Sequence, residues 1–227
     1  MRTGERGITH VQQIGAALMV GRILISEACM EEGAAWLARS EPRFAHALRL
    51  TGTPPLRRRP DGFAHLLSAI VSQQVSTHAA RAIWGRMEAA GLTTPEAVLA
   101  ADDDSLRAPG LSMQKMRYAR ALAAAGIDFD ALREMPDAEI VKLLVEVPGI
   151  GRWTAEIYAM FSLGRADVFA PADLALQEAA RRLFDLPERP REAPMRRMSE
   201  VWTPWRTVAA GLLWAYYRVE TDREGIT

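Results

Sequence analysis

The chain has 227 residues, 49% hydrophobic and 25% charged, which is the composition of a globular protein long enough to build a core in one large or two small domains. Its formal net charge is zero, which argues against an indiscriminate basic coat for nucleic acid but leaves local positive patches open. The lone Cys29 excludes an intrachain disulfide, a four-cysteine iron–sulfur cluster and a cysteine-rich zinc site, and His10, His46, His65 and His78 show no metal-ligand spacing.

Residues 14–25 are apolar, but the run is too short to span a membrane and Arg22 interrupts it. No small-residue cleavage site follows it, so the expected location is cytoplasmic. The first 30 residues differ in flavour from the rest and read as an accessory extension, with Met30-Glu31-Glu32 as a candidate alternative start. Arg57-Arg58-Arg59 and Arg196-Arg197 are either local basic patches or solvated faces, and charge alone does not choose between them.

After residue 30 nearly every segment reads as helix and no strand is expected. Residues 63–71 and 76–90 are helices broken at Ser72-Gln73-Gln74-Val75. Thr94 caps a helix with Pro95 in its first turn. Asp104 to Ala108 form a short helix before Pro109-Gly110-Leu111, and Gln114 to Ala125 form the next. Pro136-Asp137 opens an amphipathic helix in which Ile140, Leu143, Leu144 and Val147 recur at helical spacing.

That helix ends at Pro148-Gly149-Ile150-Gly151, and a second helix starts at once with Thr154, Ala155 and Ile157. Pro148 lacks an N–H and stops the first helix. Gly149 and Gly151 leave no side chain between the backbone and a ligand, while Ile150 plugs the gap between the two helices. The unpaired N–H groups and dipole at the start of the second helix favour an anion such as a phosphate. Residues 105–120 echo the same helix–Pro-Gly–helix plan with one glycine instead of two, so the first hairpin reads as structural and the second as the working one. An ordinary tight turn would account for either hairpin taken alone.

Pro148-Gly-Ile-Gly-Arg-Trp-Thr-Ala155, Asp167-Val-Phe-Ala-Pro-Ala-Asp173 and Trp202-Thr-Pro-Trp-Arg206 together resemble the helix-hairpin-helix DNA glycosylase superfamily, and within it the 3-methyladenine DNA glycosylase II branch. The resemblance runs from about Phe63 to Tyr217. It implies an all-α fold of two helical lobes with the active cleft between them. The central lobe would be 62–168, and the second would combine 1–61 with 169–227. It also implies a smaller, more open enzyme, without the N-terminal β-domain of longer relatives.

The resemblance assigns the chemistry. Asp173 would be catalytic, stabilising a cationic sugar and orienting or deprotonating water; by sequence alone it reads as an N-cap, and the two roles are compatible. Asp167 reads as a residue solvating a loop. Trp153 stands where strand-cutting members carry a Schiff-base lysine, which implies a monofunctional enzyme. Trp153, Ile157, Tyr158 and Trp214 would line the base pocket, whose aromatic walls suit an electron-poor alkylated purine; Trp214 also reads as core. Position 157 departs from the tyrosine of the relatives. Gln73 and Gln74 match the loop that fills the stack when a base is flipped, with Gln74 at the wedge position, and helix capping is their alternative. Gly149, Ile150, Gly151 and Thr154 would hold DNA. The carbonyls of Val145, Val147 and Ile150 would hold a monovalent cation, sodium or potassium, with no cofactor needed for catalysis. The expected partner is double-stranded DNA with alkylated bases, bound by a monomer without a membrane. A non-enzymatic helix-hairpin-helix DNA-binding module, or a glycosylase for oxidised or mismatched bases, are the competing readings.

Overall fold

The structure, a computed structural model, describes residues 20–224. His10 and the first half of the apolar run 14–25 lie outside the described residues. Within them every named element is a helix, and an isolated β-bridge joins Ile23 to Arg165.

The helices sort into two packing groups. The first contains α1 (Glu27–Ser40), α2 (Pro42–Thr51) and, from the far end of the chain, α11 (Leu174–Leu183), α12 (Glu192–Ser199) and α13 (Arg206–Glu224). Helix α13 packs on α1, α2 and α11. Its Val208, Ala209, Leu212 and Leu213 recur at helical spacing and are fully buried. At the end of this group Trp202 stacks on Phe184 at 5.9 Å and meets Phe44 and Phe169 edge-on, each at 5.3 Å.

The second group holds α3 (Phe63–Ser72), α4 (Thr77–Ala89), α5 (Pro95–Ala100), α6 (Asp103–Arg107), α7 (Met113–Ala124), α8 (Phe129–Glu134), α9 (Asp137–Val145) and α10 (Arg152–Phe161). Here α7 packs on α3, α5 and α6, and α9 packs on α10. Capping follows from sequence: Ser76, Thr94, Asp102, Ser112 and Asp128 each accept a backbone N–H of the helix they start.

Residues 20–30, set apart in the sequence as an extension, contribute to the core. Leu24, Cys29 and Met30 are buried, the Leu24 N–H donates to the Gly164 carbonyl at 2.7 Å, and the Ala166 N–H donates to the Arg22 carbonyl at 2.9 Å. This segment belongs to the junction between the two groups. The fully buried Arg165 sits at the same junction. It donates to the carbonyls of Arg133 and Met135 at 2.6 and 3.0 Å and lies 3.5 Å from the Asp137 carboxylate. Burial pushes the Asp137 carboxyl up from its ordinary value, against the pull of Arg165.

Candidate active site

The hairpin between α9 and α10 is built as its residue types dictate. Gly149 has φ +96°, a left-handed conformation, and a Cβ there would meet Tyr118 Cγ at 2.5 Å. Ile150 is buried between the helices. Gly151 is the N-cap of α10, and a Cβ added there would meet nothing within 4 Å. No side chain caps this helix, so the N–H groups of its first turn remain available to an anion. The echo at Pro109-Gly110 differs, because the Pro109 carbonyl accepts from Arg86 Nε at 2.8 Å.

Asp173 caps α11, accepting the Leu176 N–H on Oδ1 at 3.0 Å. Two indoles hold the same carboxylate. Trp153 Nε1, in the first turn of α10, donates to Oδ2 at 3.1 Å, and Trp214 Nε1, on α13, donates to Oδ1 at 3.2 Å. Sequence spacing could not reveal this arrangement, in which three helices from both packing groups converge on one carboxylate. The donors are neutral, so they fix its orientation without adding charge. Oδ1 has both lone pairs engaged, while Oδ2 keeps one for a reacting group.

The carboxylate opens into a cavity of about 260 Å³ lined by Trp153, Ile157, Phe161, Trp214 and Tyr217, with Arg57, Arg59 and Arg218 around it. That is just below the roughly 300–1,000 Å³ of pockets for drug-sized ligands and is the scale of a single base. The structure brings Asp173, Trp153, Ile157 and Trp214 together. It does not bring Tyr158. That ring is buried on the other side of α10 and its hydroxyl accepts the Gly62 N–H at 2.8 Å; burial pushes the phenol up to about 12. Adjacent helical residues project about 100° apart, and Tyr158 lines the neighbouring cavity on that side of the helix, which Ile157 also borders, rather than the Asp173 cavity.

Sequence reasoning missed Phe161, Tyr217 and Arg218, and read Arg57 and Arg59 only as a candidate basic patch or solvated face. Phe161 continues the α10 face at Trp153, Ile157, Phe161, and its ring lies 5.6 Å from that of Trp214. Tyr217 and Arg218 follow Trp214 by three and four residues on α13. That spacing was the available signal.

Gln73 and Gln74 point to different ends. Gln73 Nε2 donates to the Gly149 carbonyl at 2.8 Å and so braces the hairpin. Gln74 is exposed at φ +56°, an uncommon conformation for a residue with a Cβ. Thr154 lies in the first turn of α10, lining a neighbouring cavity with Gln73. Asp167, expected to solvate a loop, is instead engaged by Arg206 at 2.8 and 3.0 Å. The fork matches a carboxylate and joins two elements of the tertiary structure. Arg196, part of a suspected basic patch, pairs with Glu156 and Glu192 at 3.0 and 2.9 Å. The buried Glu156 carboxyl is pushed up by desolvation, with Arg196 and Arg152 opposing. Lys115 is drawn to the Val71 carbonyl at 2.6 Å and Lys142 is exposed on α9, so neither lysine lines the cavity.

A carboxylate fixed in a small aromatic-lined cavity thus stands near a hairpin whose helix start is open to an anion. Residues 67–206 match the HhH-GPD superfamily of base excision DNA repair proteins, and the chain belongs to that family. It is 32% identical over 165 residues to DNA-3-methyladenine glycosylase 1 of Schizosaccharomyces pombe, covering 69% of this chain and 72% of that protein. It is 30% identical over 183 residues to DNA-3-methyladenine glycosylase 2 of Escherichia coli, covering 73% and 62%. The crystal structure of a DNA-3-methyladenine glycosidase from Bacillus halodurans superposes with a TM-score of 0.77 at 31% identity, over 84% of this chain and 91% of that one. The S. pombe 3-methyladenine DNA glycosylase in complex with abasic DNA superposes with a TM-score of 0.67 at 29% identity, over 81% and 95%.

Proposed function

We propose that this chain is a monofunctional DNA glycosylase that removes alkylated purines from duplex DNA by flipping the base into the Asp173 cavity. One observation carries the reading: the Asp173 carboxylate is held by the Trp153 and Trp214 indoles inside a base-sized cavity. A DNA-binding module alone has no use for such a carboxylate.

Water attacks C1′ as the glycosidic bond breaks. The base leaves with the bonding electron pair, and the sugar keeps the water oxygen as its new C1′ hydroxyl. Positive charge develops on the sugar, and the Oδ2 lone pair faces it or takes the water proton. The aromatic lining stacks on the flipped base and attracts it when alkylation has made it cationic. Trp153 offers no amine, so no Schiff base forms and the strand stays intact. Water is the sole co-reactant, and the family's chemistry needs no catalytic cofactor.

The hairpin supplies the phosphate anchor through Gly149, Gly151 and the first turn of α10, with Gln73 and Ile150 as braces. Among the described residues no backbone N–H reaches the carbonyls of Val145 or Ile150, while that of Val147 accepts from Ile150 at 3.0 Å and keeps a second lone pair. These three fit a monovalent cation, which would supply positive charge toward the phosphate. Gln74 is the wedge; a strained, exposed residue at a helix break is the kind of position that function retains. We place the enzyme in the cytoplasm as a monomer whose lobes divide at about 62 and 168. Among the described residues no helix is long and apolar enough to cross a membrane.

Incubation with a panel of duplexes carrying single lesions tests the reading. Base release from alkylated purines, leaving an intact strand, is the expected result. Release confined to oxidised or mismatched bases would replace the substrate class, and no release from any lesion would leave a binding module.

A further inference from the structure

Most arginines near the junction are already engaged. Arg133 and Arg206 pair with Asp61 and Asp167, Arg165 is buried on carbonyls, and Arg196 is held by Glu156 and Glu192. Arg57, Arg59 and Arg218 are the exceptions. All three line the Asp173 cavity, all are exposed, and among the described residues no carboxylate pairs with any of them.

Their position is built. Residues 54–62 connect the packing groups without forming a helix or strand, and hydrogen bonds fix their course. Arg58 turns inward, donating to the Leu24 carbonyl at 3.2 Å and the Ser162 carbonyl at 3.1 Å. Gly164 has φ +71°, and a Cβ there would fall 1.6 Å from Arg58 Nη1, so any other residue would displace the guanidinium from this place. The Leu56 N–H is bound to the Glu27 carboxylate at 3.0 Å and the Arg59 N–H to the Phe161 carbonyl at 3.0 Å. A segment pinned at 56, 58 and 59 turns Arg57 and Arg59 to the cavity, where Arg218 meets them from α13. Arg59 lies 5.3 Å over the Phe161 ring. Arg57 is held below its ordinary value by partial burial and by the charges of Arg218 and Arg59.

Three like charges gathered beside a single carboxylate leave the cavity mouth with excess positive charge. Among the described residues Asp173 makes no ion pair with any of the three and offsets at most one of them, so the rest call for an anion that comes with the ligand. We propose that Arg57, Arg59 and Arg218 form a second anchor for the DNA backbone, gripping a phosphate beside the extruded nucleotide at the mouth of the cavity. This rests on the reading of that cavity as the site of a flipped base. The hairpin would hold the duplex on one side of the cavity and the arginines would hold the flipped strand on the other. The seated phosphate also screens the three guanidiniums from a cationic base, which they would otherwise repel.

The test is a cycle between arginine variants and neutral methylphosphonate linkages, read as binding to a duplex with a tetrahydrofuran abasic analogue. Each of Arg57→Ala, Arg59→Ala and Arg218→Ala should weaken binding roughly fivefold to tenfold, and the triple variant roughly a hundredfold, with a shallower salt dependence. One methylphosphonate next to the lesion should weaken the wild type but cost the triple variant little more. Thermal melting verifies that the variants fold, and Arg57→Lys, which keeps charge but loses the fork, should fall between the wild type and Arg57→Ala. Equal methylphosphonate costs in wild type and triple variant at every linkage would overturn the anchor. So would unchanged binding with altered preference among released bases, which would make the arginines readers of the base. Wild type that shows the cycle but releases no base keeps the anchor and removes the glycosylase reading; wild type that releases base without the cycle does the reverse.

Discussion

Asp173 accepts three hydrogen bonds and retains one lone pair on Oδ2, so its replacement by asparagine keeps the size and cap position but removes the charge that the proposed mechanism requires. Asp173→Asn should lower single-turnover base release by at least about a hundredfold while leaving duplex binding within a few-fold. Near wild-type release would remove Asp173 from the mechanism. Trp153→Phe keeps an aromatic ring and deletes the N–H on Oδ2; release should fall by roughly tenfold with an unchanged melting temperature, a rise of about 1.4 kcal/mol in the barrier. Borohydride should trap no protein–DNA adduct with the wild type, because neither lysine lines the cavity. A covalent adduct would refute monofunctional chemistry.

At the level of elements, the two hairpin glycines have different reasons to be glycine. Gly149 is fixed by its φ of +96° and by Tyr118, so Gly149→Val should destabilise the fold by at least about 2 kcal/mol, read by denaturant unfolding. Gly151 faces open space at φ −79°, so Gly151→Val should fold normally and weaken binding to damaged and undamaged duplexes alike. Lesion preference lost with overall affinity intact would mean that the α10 start is not the phosphate anchor. In the α3–α4 turn, Gln74→Ala should slow release most in a fully paired duplex and less where the lesion faces a mismatch, since unstacking is then easier. An equal rate ratio in both contexts would place the wedge elsewhere. Helix α11 carries a titratable brace: hydrogen bonds from Arg181 and then Arg182 hold the Glu178 carboxyl at about 2, below its ordinary 4.5. A depressed acid stabilises the fold above its unfolded value and loses that contribution as pH falls from about 4.5 toward about 2. Glu178→Gln should therefore cost about 1 kcal/mol at pH 7 and nothing near pH 2.

For the whole molecule, the junction between the packing groups sets the cavity, and Arg165 is its central support. Its guanidinium holds carbonyls that precede α9, while its own carbonyl lies 2.6 Å from the Thr207 hydroxyl of α13. Arg165→Met should cost about 3–5 kcal/mol in unfolding experiments, because Asp137 and three carbonyls would lose a buried partner. A variant as stable as the wild type would show that the lobes are held by apolar packing alone.

The sequence by itself determined most of the helices, the two hairpins and the caps at Thr94 and Asp173, because these depend on neighbours three or four residues apart. It placed Asp173, Trp153 and Trp214 in one pocket through a resemblance of three separated motifs, and the structure joins those side chains by hydrogen bonds. Which face of α10 met the cavity was not legible: Ile157 and Tyr158 were both plausible, and only the packing of Tyr158 under Gly62 decided it. Nor did three adjacent arginines disclose that the middle one would turn inward to Leu24 and Ser162 while its neighbours turned out. Residues 20–30 looked peripheral because their partners, Gly164 to Ala166, lie some 140 positions away. Such contacts close long loops, and local periodicity carries no record of them.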